Sequence, residues 1–484
     1  MINKKIIFRA LGILLIIQAA FQMLSSGVSL FYGEDDMLAF FISAIITSAG
    51  GLFLTSLGRE ADSRIGRRDG YVIVTFAWVI SSLCGMMPYL ISGYIPDVTN
   101  AFFETLSGFS GTGATILDDI ESLPHGLLFW RSLTQWIGGL GIVFFTIAVL
   151  PMIGSSGVQL FAAEATGPTH DKLHPRIGTT AKWIWAIYIG LTLTETVLLS
   201  VSGMGIFDSI CHSLTTTATG GYSTKQDSIA YFNSPGIEYI ITVFMIISGI
   251  NFSMLYLLMM KGKIKEFLKD TEVRCYLGFL LAFTVFVTFG LMSTSGYGAE
   301  ESFRKGVFQV ASVLTSTGFM SDDYMAWAPF LWGFIGIFMC IGGCAGSTSG
   351  GIKCIRISIM WKTACNEFKR IIHPNAVLPV RVSGKTISST TRTTVLAFIF
   401  IYICIFLLGW LALMMMGLGH TEAYSCTISC LENCGPALGD LGPTATWNCL
   451  PPAAKWLCTG LMLMGRLELF SVLMMFTPQF WTKI

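Results

Sequence analysis

A short glycine-bearing segment recurs four times in this chain: Gly111-Thr112-Gly113-Ala114-Thr115, Ala218-Thr219-Gly220-Gly221-Tyr222, Ser316-Thr317-Gly318-Phe319-Met320 and Asn433-Cys434-Gly435-Pro436-Ala437. In three of them Thr directly precedes the glycine taken as reference, and in the fourth Cys434 takes that place. The reference glycines, Gly113, Gly220, Gly318 and Gly435, lie 107, 98 and 117 residues apart. That is a quasi-repeat of about one hundred residues, and its surroundings repeat with it. Each segment follows a helix-length semi-apolar stretch and lies between two apolar ones, so each unit reads helix, short re-entrant helix, glycine segment, helix. Irregular backbone at membrane depth survives only where it is buried in protein or lines a water-filled path. Four such units can place four glycine segments around one axis.

The composition supports a polytopic membrane chain: 53% of residues are hydrophobic and 12% charged, against about 25% charged in soluble domains. Ten stretches are long enough for a bilayer core: Ile6 to Leu30, Met37 to Leu57, Tyr71 to Ser92, Leu127 to Ile153, Trp183 to Val201, Ile237 to Met260, Cys275 to Met292, Phe330 to Met360, Thr393 to Met416 and Trp456 to Phe476. Ten spans put both termini on one side. Placing them inside assigns 24 of the 30 Lys and Arg to cytoplasmic segments, as the positive-inside rule requires. Acidic residues favour the outer side, where they either concentrate cations at a mouth or merely reflect topology and solvation. A net charge of +1 gives no case for a nucleic-acid partner. The basic start and apolar run of the first 20 residues continue to Leu30 without a small-residue cleavage site, so the first span is read as retained.

The fold class expected is an all-α polytopic membrane protein, with eight of ten spans in four helix, pore-helix, helix repeats around a pore. The boundaries are residues 1–70 for a peripheral N-terminal hairpin, then 71–170, 171–266, 267–392 and 393–484 for the four repeats. The third repeat contains the anomaly of the chain, Gly342-Gly343-Cys344-Ala345-Gly346-Ser347-Thr348-Ser349-Gly350-Gly351, followed by Ile352-Lys353. Five glycines in ten residues break the span, each costing about 1 kcal/mol relative to Ala in a helix. The stretch lacks the GxxxxGK[ST] spacing of a phosphate-binding loop. Arg466 falls near the centre of the last span, where an arginine costs about 2.5–3.5 kcal/mol and must face a polar cavity or a partner. Glu468, two residues on, points elsewhere if the helix continues. Glu195, inside a span, is either a functional group or a carboxyl hydrogen-bonded between helices.

Other clusters are weaker. His170 and His174 are four apart, but Pro175 argues against a continuous helix, and the stretch from Gly154 to Lys182 reads better as a surface for a cytosolic partner. Cys426, Cys430 and Cys434 share helical spacing, yet cysteine also serves membrane helices as a small apolar residue. No His, Cys or carboxylate cluster recurs at ligand spacing, so an enzyme reading has no support and no cofactor is expected.

A dehydrated monovalent cation needs oxygens in place of its water, and backbone carbonyls supply them without fixed charge. Aiming carbonyls at an axis requires backbone angles that glycine adopts freely, and a preceding Thr can add a hydroxyl. With these residues in place the sequence resembles the TrkH-type subunits of the Trk/Ktr/HKT superfamily of potassium transporters over essentially its whole length. The four glycine segments carry the resemblance, with Trp136-Ile137-Gly138-Gly139-Leu140-Gly141, the Gly342 to Gly351 stretch and Gly465-Arg466-Leu467-Glu468.

The resemblance implies a potassium filter of Thr112, Gly113, Thr219, Gly220, Thr317, Gly318, Cys434 and Gly435, flanked by Gly111, Ala114, Gly221, Phe319, Asn433 and Pro436. It implies an intramembrane gate of Gly342, Gly343, Gly346, Gly350, Gly351, Lys353 and Arg466. Glycine at the first filter position implies preference for potassium over sodium. It further implies an inner-membrane protein in contact with lipid, a homodimer, and a cytosolic TrkA-type nucleotide-binding regulatory subunit. Proton- or sodium-coupled potassium symport is the alternative to a gated pathway. Cys434 departs from the Thr-like pattern, and Glu432 beside it can either brace the filter or add charge.

Overall fold

The computed structural model describes residues 2–59, 66–139, 141 and 177–482. His170, His174 and most of the 154–182 stretch lie outside the described residues.

Two long helices open the chain, α1 (Lys4–Tyr32) and α2 (Met37–Leu57). Asn3 caps the first by accepting from Ile6 N at 3.4 Å, and Gly33 ends it in the left-handed region. Where the pair crosses, a Cβ on Gly12 would lie 2.5 Å from Gly51 O, so the two backbones touch. α1 also packs on α3 (Arg67–Gly85) and, further along the chain, α6 (His125–Gly139). The turn between α1 and α2 is tied to α6, because the Glu34 carboxylate accepts from His125 N at 2.6 Å and meets His125 Nδ1 at 2.7 Å.

Among the described residues, the main helices that follow fall into four successive passes, each with a long helix, a short helix and a third element of varied form. The first pass is α3 with α4 (Met87–Ser92), then α5 (Val98–Ser110), then α6. The second is α7 (Ile177–Val201), α8 (Ile206–Thr217) and α9 (Pro235–Ser248) with α10 (Phe252–Met259). The third is α11 (Thr271–Thr294), α12 (Ala299–Leu314) and α13 (Pro329–Phe338), resuming as α14 (Cys354–Ile372). The fourth is α15 (Ser389–Met415), α16 (His420–Glu432) and α17 (Pro452–Arg466) with α18 (Phe470–Leu473).

The short helices start by ordinary capping chemistry. Asp97 accepts from Asn100 N at 2.9 Å, and Asp208, Glu300 with Glu301, and Glu422 put carboxylates in the first turns of α8, α12 and α16, where the helix dipole favours them. They are then almost wholly buried, hydroxyls included. The long helices are the reverse, with large apolar side chains facing outward, among them Leu52, Leu193, Phe400 and Leu408. This is the inside-out pattern of a protein whose solvent is lipid. Among the described residues, six helices are long and apolar enough to cross a membrane, and eight if each of two bent pairs is one span.

Those bends correct two continuous spans expected from hydropathy. Ile237 to Met260 is broken between α9 and α10 by 106°. There Asn251 caps the new helix by accepting from Ser253 N at 2.8 Å. Trp456 to Phe476 is broken after α17 by 110°, with Glu468 at φ 51°. Arg466 is therefore the last residue of a helix and not the middle of one, and Glu468 turns back to pair with Arg356. In the third pass the glycine-rich stretch does leave the helix, and its ends pair as short parallel strands, β1 (Ile341–Gly342) against β2 (Ile352–Lys353).

Candidate functional site

The four short helices end in one and the same turn. Ser107 O accepts from Thr112 N at 2.9 Å, Thr215 O from Gly220 N at 2.9 Å, Ser312 O from Thr317 N at 2.8 Å and Ser429 O from Cys434 N at 3.0 Å. Each bond spans a left-handed residue, Gly111 (φ 72°), Thr219 (51°), Ser316 (54°) and Asn433 (56°), which is the Schellman stop. One ordinary residue later comes a second left-handed position, Gly113 (81°), Gly221 (77°), Gly318 (84°) and Gly435 (94°).

This pattern sets the register. Thr112, Gly220, Thr317 and Cys434 are equivalent, and so are Gly113, Gly221, Gly318 and Gly435. Matching Gly220 with the other three reference glycines is thus off by one residue, because choosing the glycine after Thr selects the first of a Gly-Gly pair. Thr residues therefore occupy the inner position in the first and third segments only. Thr112 Oγ1 pairs with Ser110 Oγ, and Thr317 Oγ1 with Thr315 Oγ1, each at 2.7 Å.

The segments close on one another. A Cβ on Gly113 would lie 2.2 Å from Gly220 O, one on Gly221 1.9 Å from Thr317 O, one on Gly318 2.0 Å from Cys434 O, and one on Gly435 2.5 Å from Thr112 O. Each glycine abuts the carbonyl of the next segment, and the fourth returns to the first. The ring is closed, and its four glycines line one open cavity. Left-handed angles and these contacts together exclude any side chain. Among the described residues no hydrogen bond reaches the carbonyls of Thr112, Gly113, Gly221, Thr317, Gly318, Cys434 or Gly435. Gly220 O differs, accepting from Gln135 Nε2 at 2.7 Å.

Behind the ring lies a buried ion pair that no motif in the sequence announces. Arg131 Nε donates to Glu104 Oε1 at 2.9 Å, and its Nη1 to Ser223 O at 3.1 Å. The Glu104 carboxylate also accepts from Thr115 Oγ1 and Ile116 N, each at 3.0 Å. Tyr222 lies under the guanidinium, 4.1 Å from ring centre to Cζ, and donates to Glu104 O at 2.8 Å. A buried pair holds its place only when its other donors and acceptors are satisfied, and here they tie the first segment to the second.

The Gly342 to Gly351 loop sits against the ring where the short helices end. Thr348 Oγ1 lies 3.2 Å from Thr217 O and 3.1 Å from Thr219 Oγ1, Gly350 N donates to Ser316 Oγ at 2.7 Å, and Ile352 N to Glu432 Oε1 at 3.3 Å. Arg466 donates through Nη1 to Thr348 O at 2.8 Å and through Nη2 to Gly138 O at 2.6 Å. It thereby bridges the loop to the end of α6. Lys353 folds its Nζ back onto Ser349, 3.3 Å from Oγ, and Glu272 accepts from Ala345 N. Of the residues expected at the loop, Gly342, Gly350, Gly351, Lys353 and Arg466 thus sit together, and Gly343 and Gly346 lie on its flank against Gly249 and Asn251.

A family described as TrkH cation transport protein matches residues 36–483. The chain belongs to the TrkH family. It is 37% identical to the Trk system potassium uptake protein TrkH of Salmonella typhimurium over 99% of both chains. It is 33% identical to the Trk system potassium uptake protein TrkG of Escherichia coli over 94% of both. The crystal structure of the potassium transporter TrkH from Vibrio parahaemolyticus superposes with a TM-score of 0.89 at 32% identity, covering 99% of each chain. TrkH proteins are cation transporters and not an enzyme family. Among the described residues no three His, Cys, Asp or Glu side chains converge on a metal-sized site, and Cys426, Cys430 and Cys434 are simply buried.

The register correction had a signal in the sequence. Ser107, Thr215, Ser312 and Ser429 each stand six residues before Gly113, Gly221, Gly318 and Gly435. A hydroxyl residue six before a glycine marks this turn better than Thr immediately before it.

Proposed function

We infer that this chain carries potassium ions inward across the inner membrane, through the ring of four glycine segments, under control of the Gly342 to Gly351 loop and Arg466. One observation carries the reading: a ring closed by mutual backbone contact, with seven carbonyl oxygens that accept no hydrogen bond among the described residues. Carbonyls in such a ring replace an ion's hydration shell. The names of the relatives, potassium uptake proteins, support the choice of ion. The contacts of the loop with Thr217, Thr219 and Ser316, and of Arg466 with the loop, support reading them as a gate at the inner exit of the ring. The distribution of Lys and Arg supports ten spans with both termini cytoplasmic. By family analogy the protein works as a homodimer in lipid with a TrkA-type nucleotide-binding subunit on its inner face.

Rubidium or potassium uptake into liposomes holding the purified protein tests this, with sodium and lithium as competitors. Wild type should prefer rubidium and potassium, and Gly318→Ser should erode that preference. Uptake indifferent to competitor and substitution would mean that the glycines only pack helices.

A second reading, proton- or sodium-coupled symport, is favoured by Glu195. It is buried on α7 beside the hydroxyls of Thr216 and Thr217, and makes no ion pair among the described residues. Accumulation of potassium beyond what voltage explains, abolished by Glu195→Gln, would select this reading; accumulation that follows voltage alone would select the gated path.

A further inference from the structure

Three side chains of the ring's inner rim contact the loop, and their role is not covered by an ion path and a plug. We propose that Thr219, Ser316 and Glu432 are positioning residues that clamp the closed loop to the rim of the ring. This rests on the reading of the ring as ion path and the loop as its gate.

Thr219 and Ser316 hold left-handed backbone angles of 51° and 54°, which residues with a Cβ adopt unwillingly. Both direct their hydroxyls at the loop: Ser316 Oγ accepts from Gly350 N at 2.7 Å, and Thr219 Oγ1 lies 3.1 Å from Thr348 Oγ1. The equivalent residues of the other segments do not. Gly111 has no side chain, and Asn433 turns its amide sideways to Thr112 Oγ1 at 2.9 Å and Met462 O at 3.0 Å. In the fourth segment the preceding residue takes over, since the Glu432 carboxylate accepts from Ile352 N and Tyr402 Oη, each at 3.3 Å.

The loop is shaped to this residue. A Cβ on Gly350 would lie 1.9 Å from Glu432 O, and one on Gly351, at φ 75°, 1.4 Å from Glu432 Oε2. Gly350-Gly351 is thus the imprint of Glu432 and its carbonyl, and a loop carrying side chains there could not seat. Glu432 is 1% exposed, so lifting the loop strips the Ile352 N–H from a buried carboxyl group. The clamp holds the loop from the second, third and fourth segments, while Arg466 holds it to α6 of the first pass.

The test is basal rubidium flux through the full chain in liposomes without any added partner. Ser316→Gly removes the hydroxyl and eases the left-handed backbone, so the rim keeps its course while the clamp weakens. Flux should rise about fivefold with the preference for rubidium over sodium kept. Glu432→Ala should raise it about tenfold, and Glu432→Gln, which retains an acceptor for Ile352 N, should fall between that and wild type. Flux at or below wild type in Ser316→Gly overturns the proposal, and so does raised flux with selectivity lost, because the side chains would then hold the ring and not the loop. Should Glu432→Ala fail to fold, Ser316→Gly alone decides. Wild type without rubidium-selective flux would instead defeat the ion-path reading itself.

Discussion

The ring and the layer beneath it are built on opposite plans. Each of the four short helices stops by the same hydrogen bond, turns through the same two left-handed positions and abuts its neighbour through the same glycine-to-carbonyl contact. Below, the described helices break: α9 and α10 bend by 106°, α17 and α18 by 110°, and α13 gives way to a ten-residue loop. On the proposed reading, a ring that surrounds an ion has to be uniform, since each segment supplies the wall of the next. A layer proposed to open and close has to be irregular, because four equal walls offer no single element to move. Two arginines make the contrast concrete. Arg131 is locked in a carboxylate pair behind the ring, whereas Arg466 grips main-chain carbonyls of the loop and α6.

If that contrast is right, the largest loss of stability belongs to Arg131→Met. It leaves Glu104 buried without its cation, a loss of about 3–5 kcal/mol, seen as a large fall in thermal midpoint in detergent. Combining it with Glu104→Leu should recover part of the loss. A single substitution costing under about 1 kcal/mol, within the range of an exposed pair, would show that the ring is not locked from behind.

Next in size is a comparison within the second segment. In Gly221→Ala the Cβ meets Thr317 O in a left-handed backbone, costing about 1–2 kcal/mol for the angle and about 1–3 for the overlap. Selective rubidium uptake should fall roughly a hundredfold. Gly220 has no left-handed angle, and its Cβ would meet the Gln135 side-chain amide at 2.4 Å, which can shift only by straining its bonds to Gly220 O and Tyr222 N, so Gly220→Ala should lose about tenfold, less than Gly221→Ala. Equal losses would restore Gly220 as the equivalent of Gly113.

Arg466→Ala tests the lower layer. Bonds from a charged donor contribute about 1.5–3 kcal/mol, so basal flux should rise by roughly tenfold or more, with a far smaller change in thermal midpoint than Arg131→Met. Unchanged or lower flux would remove Arg466 as a closing element and weaken the contrast from which it follows.

How much of this was legible beforehand divides along the same line. The four short helices and their glycines are legible because turn chemistry is local: a glycine at the second left-handed position closes each segment, whereas Thr219 and Ser316 at the first give no such sign. Thr-Gly is a poor marker in the second segment, because the stop there is closed by the main-chain carbonyl of Thr215, six positions before Gly221. The bends after Ser248 and Arg466 were not legible, because hydropathy averages over a window and sees no break in 20 apolar residues. Their causes, Asn251 capping a new helix and Arg466 reaching Gly138 O across 328 residues of sequence, are respectively subtle and non-local. The pairing of Glu104 with Arg131 is illegible for the same reason: neither residue is unusual until the fold places them together.

The smallest expected effect lies at the junction between the N-terminal pair and the ring-bearing passes, and it tests whether that junction is as fixed as the ring. Asp36 precedes α2, is buried at 1% exposure, and sits where a Cβ on Gly126 would come within 2.4 Å of its Oδ2. Burial raises its carboxyl above the ordinary range, opposed by the Ser29 hydroxyl and reinforced by Glu34 and Asp35. The folded chain therefore keeps a proton to higher pH than the unfolded chain does. Its stabilising contribution is complete below the unfolded value of about 3.9 and is lost as pH rises through the folded one. Asp36→Asn removes that loss, so the thermal midpoint of wild type should fall relative to the variant between acid and neutral pH, by at most about 2 °C. A difference constant with pH would mean that Asp36 is already ionised when folded and that water reaches the turn, leaving the N-terminal pair a looser neighbour of α6 than the Glu34 and His125 contact implies.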